Sequence, residues 1–233
     1  MKFLLTNDDG YAAEGLTKLR TVIDRMGKTT VVAPTSEHSG CGHQLSTYSS
    51  IETFPKPDNV FAVEGSPADC TRLGLYRFCK DADWVIAGIN RGGNLGVDHY
   101  MSGTVSAVRE AALFGKPAIA ISQFFRSDVP VDWELSGRMA EEAISELLKR
   151  ELPTGSFWVV NLPALSATDS VPAIVDCKAD RNPMPLNYSQ HGDQFQFTSV
   201  YFNRPRSPGT DVDVCFTGAI AVTRETVRSP GNA

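Results

Sequence analysis

Over the first 165 residues, short apolar runs alternate with stretches of helical spacing. Phe3, Leu4 and Leu5 form one such run, and between residues 14 and 26 Leu16, Leu19, Val22, Ile23 and Met26 recur on one helical face. Residues 29–33 are rich in β-branched side chains and stop at Pro34, which ends a strand. Residues 60–63 predict another strand, after which Ser66 caps a helix that begins with Pro67. A fully apolar strand follows over 84–89, then a helix from about 103 to 114 and a strand over 117–122. Residues 132–150 form a long amphipathic helix with Leu135, Met139, Ala143, Ile144, Leu147 and Leu148 on one face, and a strand over 157–161 precedes Pro163. Tyr76, Trp84 and the Leu135 stripe read as core.

Apolar strands alternating with helices predict a mostly parallel sheet covered on both faces, a doubly wound, Rossmann-like α/β fold. Beyond residue 165 the pattern changes. Pro172, Pro183, Pro185, Pro205 and Pro208 interrupt it, alternation runs over 194–201, and a second strand is expected over 216–223. The chain therefore reads as a single domain, residues 1–233. Its core is 1–165, and 166–233 is an appended β-rich extension suited to an oligomer contact. Residues 228–233 read as a frayed end.

A chain of 233 residues needs neither disulfide nor metal merely to fold, because at this size roughly 70% of the unfolded surface is buried. The net charge of −5 argues against a binder of nucleic-acid backbones, yet leaves room for a small phosphorylated ligand. Cys41, Cys70, Cys79, Cys177 and Cys215 are odd in number and scattered, which points to a reducing cytosol. No apolar run is long enough for a signal segment or a bilayer span, so a cytoplasmic protein without membrane partners is expected.

Candidate chemistry gathers at strand ends, where ligands bind in open α/β sheets. The first strand runs into Asn7-Asp8-Asp9-Gly10. Adjacent carboxylates repel, and a hard divalent cation would resolve the conflict; a solvated turn has the same composition. The second strand enters Glu37-His38-Ser39-Gly40-Cys41-Gly42-His43. Ser39 lacks the context of a nucleophile elbow. Residues 88–96 hold four glycines and two asparagines, but match neither a Walker motif nor a dinucleotide fingerprint. Ser102 or Thr104 then caps a helix whose free N–H groups also suit a phosphate. Asp98 and His99 read as loop residues or as supports behind the site.

These segments resemble the survival protein E (SurE) family of metal-dependent 5′-nucleotidases. The resemblance rests on Thr6-Asn7-Asp8-Asp9-Gly10, Val32-Ala33-Pro34, Ser39-Gly40, Gly65-Ser66-Pro67-Ala68-Asp69-Cys70, Gly88-Ile89-Asn90 through Asn94-Leu95-Gly96, and Ser102-Gly103-Thr104-Val105. Weaker echoes follow at Asn161-Leu162-Pro163 and Pro208-Gly209-Thr210-Asp211. The resemblance implies a SurE-like fold and one divalent ion per subunit, Mg²⁺ or Mn²⁺, held by Asp8, Asp9, Ser39 and Asn90. It also implies a phosphate side built from Asn94, Ser102, Gly103 and Thr104, and a homodimer or homotetramer. The chain departs from the family at His43 and Gln44, where small residues and an Asn are common. It also ends before the helical tail that members often carry.

Together these readings predict hydrolysis of nucleoside 5′-monophosphates, with short polyphosphate as a further substrate. Catalytic roles fall to Asp8, Asp9 and Asn94, and either acid suits the attacking water. A phosphotransferase working through an aspartyl-phosphate would favour a spaced acidic pair. A receiver-like or non-catalytic nucleotide-binding module would need a later acceptor Asp, where this chain has Asn90.

Overall fold

The computed structural model describes residues 1–166 and 170–227. In chain order the elements are β1 (Lys2–Thr6), α1 (Glu14–Ile23), β2 (Lys28–Pro34), β3 (Thr53–Lys56), β4 (Val60–Val63), α2 (Pro67–Leu73), β5 (Trp84–Arg91) and α3 (Gly103–Leu113). There follow β6 (Ala118–Gln123), α4 (Trp133–Leu147), β7 (Ser156–Leu162), β8 (Ile174–Asp176), β9 (Tyr188–His191), β10 (Gln194–Phe197), α5 (Asp211–Phe216) and β11 (Ile220–Thr226).

Nine strands form one sheet in the order β3-β4-β2-β1-β5-β6-β7-β11-β8. From β4 to β7 every pairing is parallel, whereas β3 and β11 run antiparallel to β4 and β7. The expected mostly parallel, doubly wound sheet is therefore present, and both of its faces are buried. Phe3 and Leu5 of β1 pack with Leu16, Leu19 and the α4 stripe of Leu135, Met139 and Ile144. Leu4, on the opposite face of the pleat, packs with Val105, Val108 and Ala111 of α3.

Several boundaries differ from the sequence expectation. The second C-terminal strand starts at Ile220 rather than at residue 216, because Asp211–Phe216 is helical and ends at Gly218, whose φ is +98°. β11 joins the main sheet beside β7, while β9 and β10 pair as a separate hairpin. Tyr76 is not core: it lies in a wide turn over Gly74–Phe78, 74% exposed, with the Lys80 ammonium over its ring. Leu135 is buried and Trp84 partly so. All five cysteines are free thiols. The end at 228–233, expected to fray, lies outside the described residues. No helix among the described residues is long and apolar enough to cross a membrane.

Candidate active site

The chain moves outward from β1 through β2 to β4, then returns to place β5 on the other side of β1. Strand order thus reverses at the β1–β5 crevice, where an α/β sheet opens to ligands. Asp8 and Asp9 leave β1 on one wall of this crevice, and Asn90 near the end of β5 forms the other.

A bulge aims Asn90. Ala87 pairs with Ala120 and Asn90 with Ser122, so Gly88 and Ile89 together stand opposite the single residue Ile121. Gly88 has φ +137°, and a Cβ there would lie 2.3 Å from the Ile121 carbonyl oxygen, so glycine is required. Asn90 is buried and its Nδ2 donates to Gly92 O at 2.8 Å, which leaves the amide oxygen as the end able to meet a cation. Next to it, the Arg91 N–H donates to Asp9 Oδ2 at 3.1 Å.

The start of α3 closes onto Asp8. Ser102 is the helix cap, its Oγ accepting from Val105 N at 3.0 Å. Thr104 turns its hydroxyl elsewhere, donating to Asp8 Oδ1 at 2.5 Å. Gly103 lies so close that a Cβ on it would stand 2.8 Å from Asp8 Cβ. The carboxylate therefore sits against the free N–H end of a helix.

Ser39 arrives on a loop tied at two points, His38 N–H to Asp8 O at 2.8 Å and Gly42 N–H to Met101 O at 2.9 Å. Its own hydroxyl is exposed and donates to Glu37 Oε1 at 2.6 Å, with no contact to either aspartate. Asn94 is held away from the acids as well. Its N–H donates to Asn161 Oδ1 at 2.8 Å and its Nδ2 to Ser122 Oγ at 2.7 Å, while Asn161 Nδ2 returns a bond to Asn94 O at 2.8 Å. One amide hydrogen of Asn94 is left for a ligand. The structure thus joins Asp8, Gly103 and Thr104 directly; Asn90 stands at the end of the neighbouring strand β5, and Ser39 and Asn94 lie on their own loops with no bond to either acid.

Burial pushes the Asp8 carboxyl up to about 6; the Thr104 hydroxyl opposes this, and the charge of Asp9 adds to it. Asp9 is also raised, by burial first and by Glu37, against the pull of the Arg91 amide and charge. No Lys, Arg or His among the described residues forms an ion pair with either acid. Two carboxylates with raised affinity for positive charge, no protein cation paired with either among the described residues, and hard oxygen donors on the neighbouring segments fit a divalent ion. No group of three or more His, Cys, Asp or Glu among the described residues could hold a metal. An ion here would consequently lean on amide and hydroxyl oxygens in addition to the two carboxylates.

The roles of several supporting residues escaped the sequence reading. Ser122 and Asn161 fix Asn94; Ser122 gave no signal beyond a polar side chain at the end of an apolar strand, and Asn161 stood in the Asn161-Leu162-Pro163 echo with no role attached. His43 Nε2 meets the buried Glu110 Oε2 at 2.7 Å, with Arg72 on the other oxygen, and so anchors the Ser39 loop to α3. Asp98 braces the backbone, accepting from Leu95 N at 3.2 Å, Tyr201 Oη at 2.5 Å and Arg204 Nη1 at 2.6 Å. A hollow of 990 Å³ lies away from the acids, behind the turn at Gly96–Tyr100. Volume alone does not mark the chemistry, because a site for a small charged group needs convergent polar atoms more than space.

Comparison with known proteins gives a concordant result. The family model described as survival protein SurE matches residues 3–182. A protein of Synechocystis named as a putative 5′-nucleotidase is 45% identical over 96% of this chain and 99% of its own length. The 5′-nucleotidase SurE of Geobacter sulfurreducens is 38% identical over 78% of this chain and 70% of its own. The crystal structure of the SurE protein from Aquifex aeolicus superposes with a TM-score of 0.88 at 29% identity, covering 98% of this chain and 94% of that one.

Proposed function

This chain belongs to the SurE survival-protein family, and from that premise we propose that it is a metal-dependent 5′-nucleotidase, releasing phosphate from nucleoside 5′-monophosphates. The observation that carries the reading is the Thr104–Asp8 hydrogen bond, which fastens an unpaired acidic couple to a helix N-terminus at the β1–β5 switch point. Cation affinity and anion affinity then stand side by side, as a phosphoryl group with its counter-ion requires.

Asp8, Asp9, Ser39 and Asn90 supply the oxygens to hold one Mg²⁺ or Mn²⁺ per subunit. When bound, such an ion polarises a phosphoryl oxygen and acidifies water. The N–H groups and hydroxyls of Ser102, Gly103 and Thr104, with the remaining amide hydrogen of Asn94, stabilise negative charge on the transferring group. Asp8, buried and engaged by Thr104, is the fixed acid. Asp9 is the less buried of the two, which suits it to take a proton from an attacking water. Short polyphosphate presents the same terminal group and is a second substrate class under this reading.

We further propose that the chain acts as one domain in a cytoplasmic homodimer or homotetramer. Supporting this, Tyr188, Phe195 and Phe197 on the β9–β10 hairpin are exposed. The test of function is phosphate release from AMP, GMP and tripolyphosphate, crossed with Mg²⁺, Mn²⁺ and EDTA. Turnover that needs a divalent ion and disappears in Asp8→Asn is expected. Metal-independent release, or wild-type rates from Asp8→Asn, would overturn the assignment.

A further inference from the structure

The 990 Å³ cavity behind the Gly96–Tyr100 turn is bordered by four cationic side chains, Arg109, Lys178, Arg181 and Arg224. The chain as a whole carries a net charge of −5, so this concentration runs against its average. None of the four forms an ion pair with a carboxylate among the described residues. Two acids share the wall. Asp180 is already saturated, accepting from Ser207 N, Thr210 Oγ1 and both the N–H and Nδ2 of Asn182. Glu225 stands 3.4 Å from His99 Nδ1.

Two further observations point to a polar occupant. Thr223 borders the cavity, is 2% exposed and keeps its Oγ1 without a hydrogen-bond partner among the described residues, while His99, 5% exposed, lies between Asp211, 3.7 Å from its Nε2, and Glu225. Arg109 is partly buried and donates one guanidinium N–H to His99 O at 2.5 Å; burial presses its pKa below the ordinary value against the opposing charge of Glu225, and the rest of its fork is left for a ligand. Four cations against two acids leave the wall net positive, and walls of low dielectric with an excess of one charge focus potential into the space between them.

We propose that this cavity is a second ligand site, separate from Asp8 and Asp9, which binds a phosphorylated small molecule of about nucleotide size. Guanidinium forks match phosphate oxygens in pairs, and several cations together favour a polyvalent phosphate over a single carboxylate. The volume suits the size, since sites for small organic ligands run from about 300 to 1,000 Å³, well above the need of a lone phosphate ion. Its wall and the candidate active site share structure: Arg109 lies on α3, and the Gly96–Tyr100 turn leads into the Ser102 cap. The proposal does not depend on turnover at Asp8.

Calorimetric titration of inorganic pyrophosphate into the full chain, in EDTA, tests it. Wild type is expected to bind, and a Lys178→Glu/Arg224→Glu double variant to bind at least tenfold more weakly. Both residues are exposed, so the variant should keep the wild-type thermal midpoint and its AMP hydrolysis. Asn94→Ala should bind pyrophosphate as wild type does. Absence of binding to wild type, equal binding by the double variant, or loss of binding in Asn94→Ala would each overturn the second site. If wild type binds pyrophosphate here but never hydrolyses AMP, the functional reading falls while this site stands.

Discussion

The molecule holds two acidic groupings built on opposite principles. Asp98, Asp180 and Asp211 lie beside the C-terminal section, and their carboxylates are filled with donors. Asp211 accepts from the N–H groups of Gly96 at 2.7 Å and of Asp180 and Val212 at 2.8 Å. Burial would raise Asp180, yet its bonds from Ser207, Asn182 and Thr210 hold its carboxyl below the usual range. Asp8 and Asp9 are supplied differently. One side-chain hydroxyl and nearby amides reach Asp8, one backbone N–H reaches Asp9, and both carboxyls are raised; burial raises Asp211 too, but its two oxygens are tied to three backbone amides that fix loops, whereas Asp9 keeps a single bond. Saturated carboxylates work as brackets that hold loops together. Under-supplied ones at a strand end retain their demand for positive charge, and that demand is available to a ligand.

The sharpest way to break this contrast is to neutralise one acid from each grouping. Asp8→Asn is expected to lower phosphate release from AMP by roughly a thousandfold, on the scale of losing a major electrostatic contact to the transition state, with circular dichroism unchanged. Asp180→Asn should lower the thermal midpoint while leaving turnover per folded molecule near wild type. If Asp180→Asn lost turnover and Asp8→Asn did not, the division between brackets and ligands would collapse.

Removing a cation from the saturated grouping should cost nearly as much in stability. The Arg204 side chain is fully buried against Asp98, and deleting one partner of a buried pair costs about 3–5 kcal/mol. Arg204→Met, followed by urea denaturation, measures it. A change below about 1 kcal/mol, the size of an exposed pair, would show that Asp98 is not a bracket.

The pH dependence of the metal-free protein sharpens the other side. Asp8 titrates at about 6 in the fold, against about 3.9 in an unfolded chain. Between those values the native state keeps a proton that the unfolded state has lost, so stability falls as pH rises through the window and levels off above it. The loss attributable to Asp8 is roughly 3 kcal/mol. Asp8→Asn should flatten this slope in EDTA and be the more stable protein at pH 7, a gain bought with activity. A wild-type stability that rose between pH 4 and 6 by that amount would contradict the raised carboxyl. The smallest effect concerns the helix that faces the acids: Ser102→Ala should cost about 1 kcal/mol through loss of the cap, measurable by thermal unfolding.

What the sequence made legible follows from which forces are local. Strand and helix periodicity marked β1, β2, β5, β7, α1 and α4, because each buries its own apolar pattern, and the Asn7-Asp8-Asp9-Gly10 turn stood out because adjacent charges are costly anywhere. The Ser66 cap was visible for the same reason and is realised as a capping box with Asp69. The place of β11 was not legible. Ile220–Thr226 has no local sign of whether it joins a hairpin or slots beside β7 of the main sheet, a choice made by long-range pairing. Nor could Tyr76 be placed, since an aromatic in a wide turn carries the same letter as one in a core. At the site, residue types near Asp8 were readable, but the partners of Asn94 were not. Ser122 and Asn161 come from two other strands, and only folding brings them within 3 Å of it.

That last arrangement has a spectroscopic corollary. The Asn161 side chain exchanges two hydrogen bonds with the main chain of Asn94, imitating a neighbouring peptide group. The Asn94 amide proton is therefore shielded by one carboxamide rather than by a ladder. Its rate of exchange with deuterium reads the docking of the loop that follows β5, residues 92–96, separately from the opening of the sheet. In Asn161→Ala that single proton should turn fast while those of β5 and β6 stay slow, giving a one-atom gauge of whether the loop is seated when substrate arrives.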